Sequence, residues 1–570
     1  MNLSPEKRIA GLLAPLFAIR TEDDLGVGDV GSLRQLIDWA AESGFRLVQL
    51  LPINETGADN SPYMAVSSVA LDPTTIFISP ESIEDLSRED YDAELAKVDL
   101  KTLRSGPVNY RVVKQLKHSL LQRAFEHFSK NELGRNSHRA RKFRTFVHFQ
   151  ASWIEGYALF RVLMEQHDTE RWDVWPQEHQ TIAAAQKWLA GLTTSKRKEF
   201  ERRMRFFKYV QWIAFTQWCA AKDYAESRGV ALMGDVPFGI SYYSADVFAE
   251  PELFDLKWSG GAPPEPYFKD DLFTQKWGQN WGVPLYRWDA MRRDNFAWWR
   301  RRVHNVREMF HLFRIDHVLG FYRIYCFPWR PQRNGEFLPL DEKQAREKTG
   351  GELPRFIERD DNTPEHREQN RRQGEEFLKV LLEETGAHRL IGEDLGTVPE
   401  YVRPNLTSLG IAGFKIPMWE KKHDGWLIDG GDYQRLSVVT FATHDHEPLK
   451  ARWDRLYQIV KQHKADAAAA WDEMVKFSAF AHLHMREPEP WSDELHEKFL
   501  RALFRSNSWI AALMITDLFA TGQRFNVPGA ITESNWSERL PHTISQWRKD
   551  PHIKAKMRRV SDILREAGRA

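Results

Sequence analysis

Seven short apolar runs, each stopping abruptly at polar or charged residues, set the strongest limit on how this chain folds: 46–53 (RLVQLLPI), 230–236 (VALMGDV), 309–316 (MFHLFRID), 388–393 (HRLIGE), 413–419 (GFKIPMW), 437–445 (SVVTFATHD) and 509–517 (WIAALMITD). Runs that are apolar at successive positions suit strands buried on both faces. Segments of helical period lie between them. Val112, Val113, Leu116, Leu120, Leu121, Ala124, Phe125 and Phe128 share one helical face, and residues 202–218 form a second such segment. The alternation predicts parallel βα units of the α/β class, and the charges at the carboxyl ends of the runs fit a (β/α)8 (TIM) barrel whose site lies on its C-terminal face. A doubly wound sheet is the alternative, but it normally brings a Gly-rich phosphate turn after the first strand, and LPINETG is not GxGxxG.

A further apolar run, 9–19 (IAGLLAPLFAI), follows Lys7 and Arg8 as a secretory signal would. Pro15 interrupts it, no small-x-small cleavage site follows, and the chain passes into Arg20-Thr21-Glu22-Asp23-Asp24, so a buried strand is expected instead. No run reaches the length of a membrane span. Residues 80–200 are helical and charged, and 329–375 are polar and rich in turn residues; both read as insertions into one catalytic barrel spanning 1–570. The 80 basic and 80 acidic side chains cancel, which removes the electrostatic footprint for nucleic acid or an anionic membrane and favours a neutral ligand. Cys219 and Cys326 are isolated, which fits a reducing cytoplasm.

The ends of the runs carry the chemistry. In a strand, Arg314 and Asp316 share a face, so the cation would hold the carboxylate ionised; a buried ion pair that only plugs the barrel is the competing reading. Glu393 and Asp394 point to opposite sides where 388–393 ends, and only one of them faces the site. Thr443-His444-Asp445 ends a third run. Carboxylates gathered at one rim are what glycosidic-bond chemistry needs, one attacking or stabilising the anomeric carbon and another protonating the leaving oxygen. A metal site built from His317, His444, Asp445, His446 and Glu447 is the competitor, but no HxxxH or HExxH spacing occurs and no metal or organic cofactor is expected. Residues 267–288 mix aromatic rings with Gly, Pro, Gln and Asn, the composition of a sugar-lining loop.

These residues resemble the 4-α-glucanotransferases (amylomaltase or disproportionating enzymes) of glycoside hydrolase family 77. The likeness runs in order through Gly26-Val27-Gly28-Asp29, Ser61-Pro62-Tyr63, Gly234-Asp235-Val236-Pro237, Gly278-Gln279-Asn280-Trp281-Gly282, RIDH, GEDLG, THD and Arg524-Phe525-Asn526-Val527-Pro528-Gly529. The resemblance implies a retaining transfer of α-1,4-glucan segments to the 4-hydroxyl of an acceptor, with Asp316 as nucleophile, Glu393 as general acid/base and Asp445 as transition-state stabiliser. It further implies sugar-binding or positioning roles for Arg314, His444, Tyr63, Asp235, Gln279 and Trp281. The implied partners are maltose, maltooligosaccharides and a glycogen- or starch-like acceptor. The chain departs from the family pattern at Leu319 and at His446-Glu447. RIDHVLGFYRI is more similar to the plant cytosolic branch, whose amino-terminal starch-binding modules are not expected here, because the barrel begins near residue 11. An α-1,4-glucan hydrolase would use the same carboxylates, and a non-catalytic glucan-binding protein would be expected to lack at least one.

Overall fold

The computed structural model describes residues 1, 3–265, 271–529 and 534–570. Eight parallel strands close into a barrel: β1 (Ile9–Leu13), β2 (Leu47–Gln49), β3 (Ala231–Val236), β6 (Leu312–Ile315), β9 (Leu390–Gly392), β10 (Ala412–Lys415), β11 (Ser437–Val439) and β12 (Ile510–Met514). The segment at 9–19 therefore supplies the first strand, which closes the cylinder by pairing with both β2 and β12. The seven apolar runs supply the others. Their strands are shorter than the runs: β11 ends at Val439, and residues 440–446 turn irregularly across the rim.

Alternation along the strands sorts the side chains. Ile9, Leu47, Ala231, Met233, Leu312, Ile391, Ala412, Phe414, Val438, Ile510 and Ala512 pack together as the barrel's interior plug, while Leu12, Val48, Leu232, Phe313 and Leu390 join the larger core under the helices. Continuing the inward series two residues at a time leads from Met233 to Asp235, from Leu312 to Arg314 and Asp316, and from Ile391 to Glu393. The apolar plug thus ends where the polar site begins.

Among the described residues the four remaining strands form an antiparallel sheet in the order β5-β4-β7-β8, with β4 (Phe254–Ala262), β5 (Gln279–Tyr286), β7 (Ile324–Phe327) and β8 (Arg355–Ile357). This corrects the expectation of a sugar-lining loop at 267–288. Residues 267–270 lie outside the described residues; of the rest, Leu272–Trp277 is a short helix and Gln279–Tyr286 a strand, with Trp277, Tyr286 and Trp288 buried. Glycine reads as a loop signal but serves close strand approach here, since a Cβ on Gly261 would stand 1.8 Å from the Gln279 carbonyl oxygen. Residues 329–375 likewise carry helices Glu342–Thr349 and the start of Pro364–Thr385 as well as β8.

Between β2 and β3 the chain is mainly helical. Helix Tyr110–Asn131 is capped by Asn109 and buries Val113, Leu116, Leu120, Leu121, Ala124, Phe125 and Phe128, as its spacing predicts. Lys117, on the same helix, is fully buried. Its Nζ donates to Asp29 Oδ2 at 3.0 Å and to the carbonyls of Thr74 and Ile76 at 2.6 and 2.7 Å, tying the helix to the barrel. Among the described residues no helix is long and apolar enough to cross a membrane.

At the opposite end from the site, Arg569 is 1% exposed and gathers backbone carbonyls from several segments. It donates to Phe504 (2.6 Å), Ile9 (2.9 Å), Trp509 (3.0 Å), Ser506 (2.8 Å) and Ser508 (2.7 Å), and burial together with Arg8 and Arg435 lowers its pKa to about 9. Arg569→Met keeps the aliphatic stem but takes a donor from each of these carbonyls, of which Trp509 retains Ile9 N and Ser506 retains Arg8 Nη1. It should cost about 2–4 kcal/mol, read as a lower midpoint in urea; an unchanged midpoint would refute this clasp.

Candidate active site

Asp316 stands one residue beyond β6. Its amide donates to the Val236 carbonyl at 3.0 Å, which fixes the chain next to β3. Arg314 Nη1 lies 2.8 Å from Asp316 Oδ1 and 2.7 Å from both oxygens of Asp235. The side chains of Arg314 and Asp235 are 4% and 0% exposed, whereas that of Asp316 is 28% exposed, so the first two form the floor and Asp316 is the member reachable from the cleft. Burial works against the Arg314 charge, but Asp235 and Asp316 outweigh it and hold the guanidinium well above its usual pKa. Tyr63 completes the floor, its hydroxyl donating to Asp235 Oδ2 at 2.7 Å.

Parity also settles which carboxylate ends β9 toward the axis. Glu393 follows Ile391 inward; Asp394 turns outward, accepting from Phe414 N at 2.6 Å and from Arg403 Nε at 2.9 Å. Gly413 makes room for it, because a Cβ there would meet both Asp394 oxygens at 2.8 Å. Glu393 Oε2 accepts from His317 N at 2.8 Å and Oε1 from Leu395 N at 3.1 Å. His317 reaches this geometry in the left-handed region, φ 45°, an uncommon conformation for a residue with a side chain. Burial dominates at Glu393; Arg314 opposes it, Asp316 adds to it, and the pKa rises to about 8. The carboxyl is therefore protonated at neutral pH, as a general acid must be.

Asp445 lies beyond the end of β11, where alternation no longer applies, and other groups place it. His444 Nε2 is 3.2 Å from Oδ2, Asn526 Nδ2 donates to Oδ1 at 2.6 Å, and Arg524 Nη2 holds the Asp445 carbonyl at 2.9 Å. Burial would raise its pKa, yet His444 and the bond from Asn526 keep the carboxyl well below the usual range. His444 stacks on Tyr63 with centroids 5.2 Å apart and planes 15° apart, and Trp536 leans on both rings at 5.8 Å.

Gln279 and Trp281 arrive from β5. Trp281 Nε1 donates to Gln279 Oε1 at 3.1 Å, and its ring meets His317 edge-on at 4.8 Å, so the small sheet abuts the turn carrying Asp316. Burial lowers the His317 pKa to about 4, leaving a neutral ring. All nine candidate residues thus connect at one rim through direct contacts or a shared neighbour. Sequence reasoning weighed His317 only as a metal ligand and passed over Asn526, Arg524 and Trp536 as site residues, although two of these stand in the RFNVPG run. Glu447 is spent on Arg455 at 2.9 Å and His446 on Thr443 at 2.7 Å. Among the described residues no group of three or more His, Cys, Asp or Glu side chains is arranged to hold a metal.

The sequence profile of glycoside hydrolase family 77, described as 4-alpha-glucanotransferase, matches residues 14–544. The chain is 31% identical over 553 residues to a 4-alpha-glucanotransferase of Chlamydia pneumoniae, covering 94% of this chain and 92% of that one. A plant relative from Oryza sativa subsp. japonica, also a 4-alpha-glucanotransferase, is 33% identical over 326 residues, which cover 56% of this chain and 32% of the plant protein. In three dimensions the fold is similar to the amylomaltase from Streptococcus agalactiae solved with acarbose, with a TM-score of 0.74, 20% identity and coverage of 99% and 100%. With this profile spanning most of its length, the chain belongs to the 4-alpha-glucanotransferases of glycoside hydrolase family 77.

Proposed function

We propose that Asp316, Glu393 and Asp445 divide the work of a double displacement on α-1,4-glucans, Asp316 attacking, Glu393 serving as acid and then base, and Asp445 stabilising the positive charge on the sugar. The observation that carries this reading is the pairing of an Arg314-held carboxylate with a neighbouring carboxyl kept protonated at neutral pH. In the first step an Asp316 oxygen forms a bond to the anomeric carbon, the glycosidic C–O bond breaks, and the Glu393 proton passes to the leaving oxygen. In the second, Glu393 takes the proton of an acceptor 4-hydroxyl, that oxygen bonds to the anomeric carbon, and the bond to Asp316 breaks. Arg314 binds Oδ1, which leaves Oδ2 as the attacking atom. Tyr63, Asp235 and His444 shape the cleaved subsite, and Gln279 and Trp281 present a polar edge and a ring to the sugar beside it.

The substrates in this reading are maltooligosaccharides and maltose, with a glycogen- or starch-like acceptor. One barrel carries the chemistry, and 80–200 and 329–375 are insertions upon it. The free Cys219 and Cys326 suit a reducing cytoplasm. Incubation with maltose and, separately, maltotriose, with and without glycogen, tests it. Glucose appearing together with longer glucans at constant total reducing ends is expected, whereas rising reducing ends without longer products would make the protein a hydrolase. Dependence of maltose consumption on glycogen would place a polysaccharide on the acceptor side.

A further inference from the structure

Strand β10 lies between β9, which leads to Glu393, and β11, beyond which stands Asp445. The turn after β10 carries Trp419, whose amide donates to the Ile416 carbonyl at 2.8 Å. Among the described residues this indole is one of the few large apolar side chains open to solvent, at 47%. The turn itself is anchored, with Ile416 and Met418 buried and Glu420 tied to Lys415 at 2.9 Å. The ring meets His446 edge-on, centroids 4.9 Å apart, and His446 is one of the positions where the chain departs from the family pattern.

The turn that carries Asp445 orients His446. Its Nδ1 accepts from Thr443 N at 3.1 Å and lies 2.7 Å from Thr443 Oγ1, which in turn accepts from Asp445 N at 3.4 Å. A backbone N–H can only donate, so Nδ1 is bare and the proton of the neutral ring sits on Nε2. Burial, against the pull of Asp445, lowers the pKa to about 4, so the ring is neutral at physiological pH. The Nε2–H has no protein partner among the described residues and is open to solvent. An outward indole face beside an unspent N–H, one residue from Asp445, suits a pyranose, whose C–H face stacks on the ring while a hydroxyl oxygen accepts the bond. The barrel decides which sugar unit this is. Tyr63 follows β2 and Asp235 lies in β3, and β2 stands opposite β10 in the closed cylinder. The cleaved unit rests on Tyr63 and Asp235, so the β10 turn flanks the unit beyond it, on the side of Glu393, which exchanges its proton with the leaving and incoming oxygens. Resting on the double displacement above, we infer that His446 selects the acceptor: Nε2–H donates to a hydroxyl of the incoming glucosyl unit other than the reacting 4-hydroxyl, and Trp419 stacks on that unit's ring.

Acceptor kinetics of the full chain test this, with α-maltosyl fluoride as donor, glucose or its 2-, 3- or 6-deoxy analogue as acceptor, and each product identified by mass. One analogue should be poorer than glucose by about 3–10-fold in kcat/KM, the range of one neutral hydrogen bond. His446→Asn should lower kcat/KM for glucose by that same factor and lose the discrimination against that analogue, because Asn Oδ1 can keep the bonds from Thr443 while nothing replaces Nε2–H. Trp419→Ala, at an exposed position, should raise KM for glucose and all three analogues alike, by about 3–10-fold. If the Asn variant does not fold, the analogue series in the unmodified protein together with Trp419→Ala decides. A His446 that serves structure alone would lower all four acceptors together and leave the discrimination intact, which would overturn the proposal. Equal use of the four acceptors by the unmodified protein, an unchanged acceptor KM in Trp419→Ala, or refusal of glucose by a protein that disproportionates maltotriose would overturn it as well. Absence of any transfer would overturn the double displacement itself, and this inference with it.

Discussion

Asp316→Asn should lower glucan transfer on the order of 10⁴-fold or more, because the amide keeps the side chain's shape but cannot form the glycosyl ester on which the first displacement depends. The fold should not follow the activity down. Arg314 keeps its two 2.7 Å bonds to Asp235, the Asp316 backbone amide stays on Val236, and the side chain is partly exposed, so no deeply buried partner is orphaned. Circular dichroism and Tm within about 2 °C of the unmodified protein would exclude trivial unfolding. Retention of even a tenth of the transfer rate would remove Asp316 from the nucleophile's role and turn attention to Asp445, whose carboxyl is held well below the usual range.

The sequence carried the barrel plainly and the site only in part, for physical reasons. A strand buried on both faces must be apolar at successive positions, so β1, β3 and β12 stand out against amphipathic helices. Alternation then places Arg314 beside Asp316 wherever the strand continues in register, and it would have separated Glu393 from Asp394 had the inward position of Ile391 been known. That position depends on β9 pairing with β6 and β10, which is tertiary information. Asp445 is another matter. The strand ends at Val439, and what aims the carboxylate is Asn526, 81 residues further along the chain. The antiparallel sheet was misread at 267–288 because Gly278 and Gly282, with φ of 101° and 81°, signal turns locally, while β5 becomes a strand only by pairing with β4, which is held in turn by β7 more than 60 residues further on.

Glu393→Gln separates the two duties assigned to one side chain. Glutamine's single oxygen can still accept from one of His317 N and Leu395 N, with its NH2 set against the other, and it has no proton to give at neutral pH, so cleavage of maltotriose, whose leaving sugar needs protonation, should fall by about 10²–10⁴-fold. An α-maltosyl fluoride donor needs no such help. Its first displacement should survive, while the second slows for want of a base, so a glycosyl-enzyme should accumulate and be found by mass spectrometry on the peptide containing Asp316. The pH profile provides an independent reading of the same group. A carboxyl with its pKa raised to about 8 is in its acid form below that pH and loses the proton above it, so kcat/KM for maltotriose should fall as pH rises through about 8. That alkaline limb should be absent from the variant, where nothing at this position titrates. Equal losses on fluoride and maltotriose, or an alkaline limb that persists in Glu393→Gln, would show that the proton comes from elsewhere and that the Glu393 site serves to position the sugar.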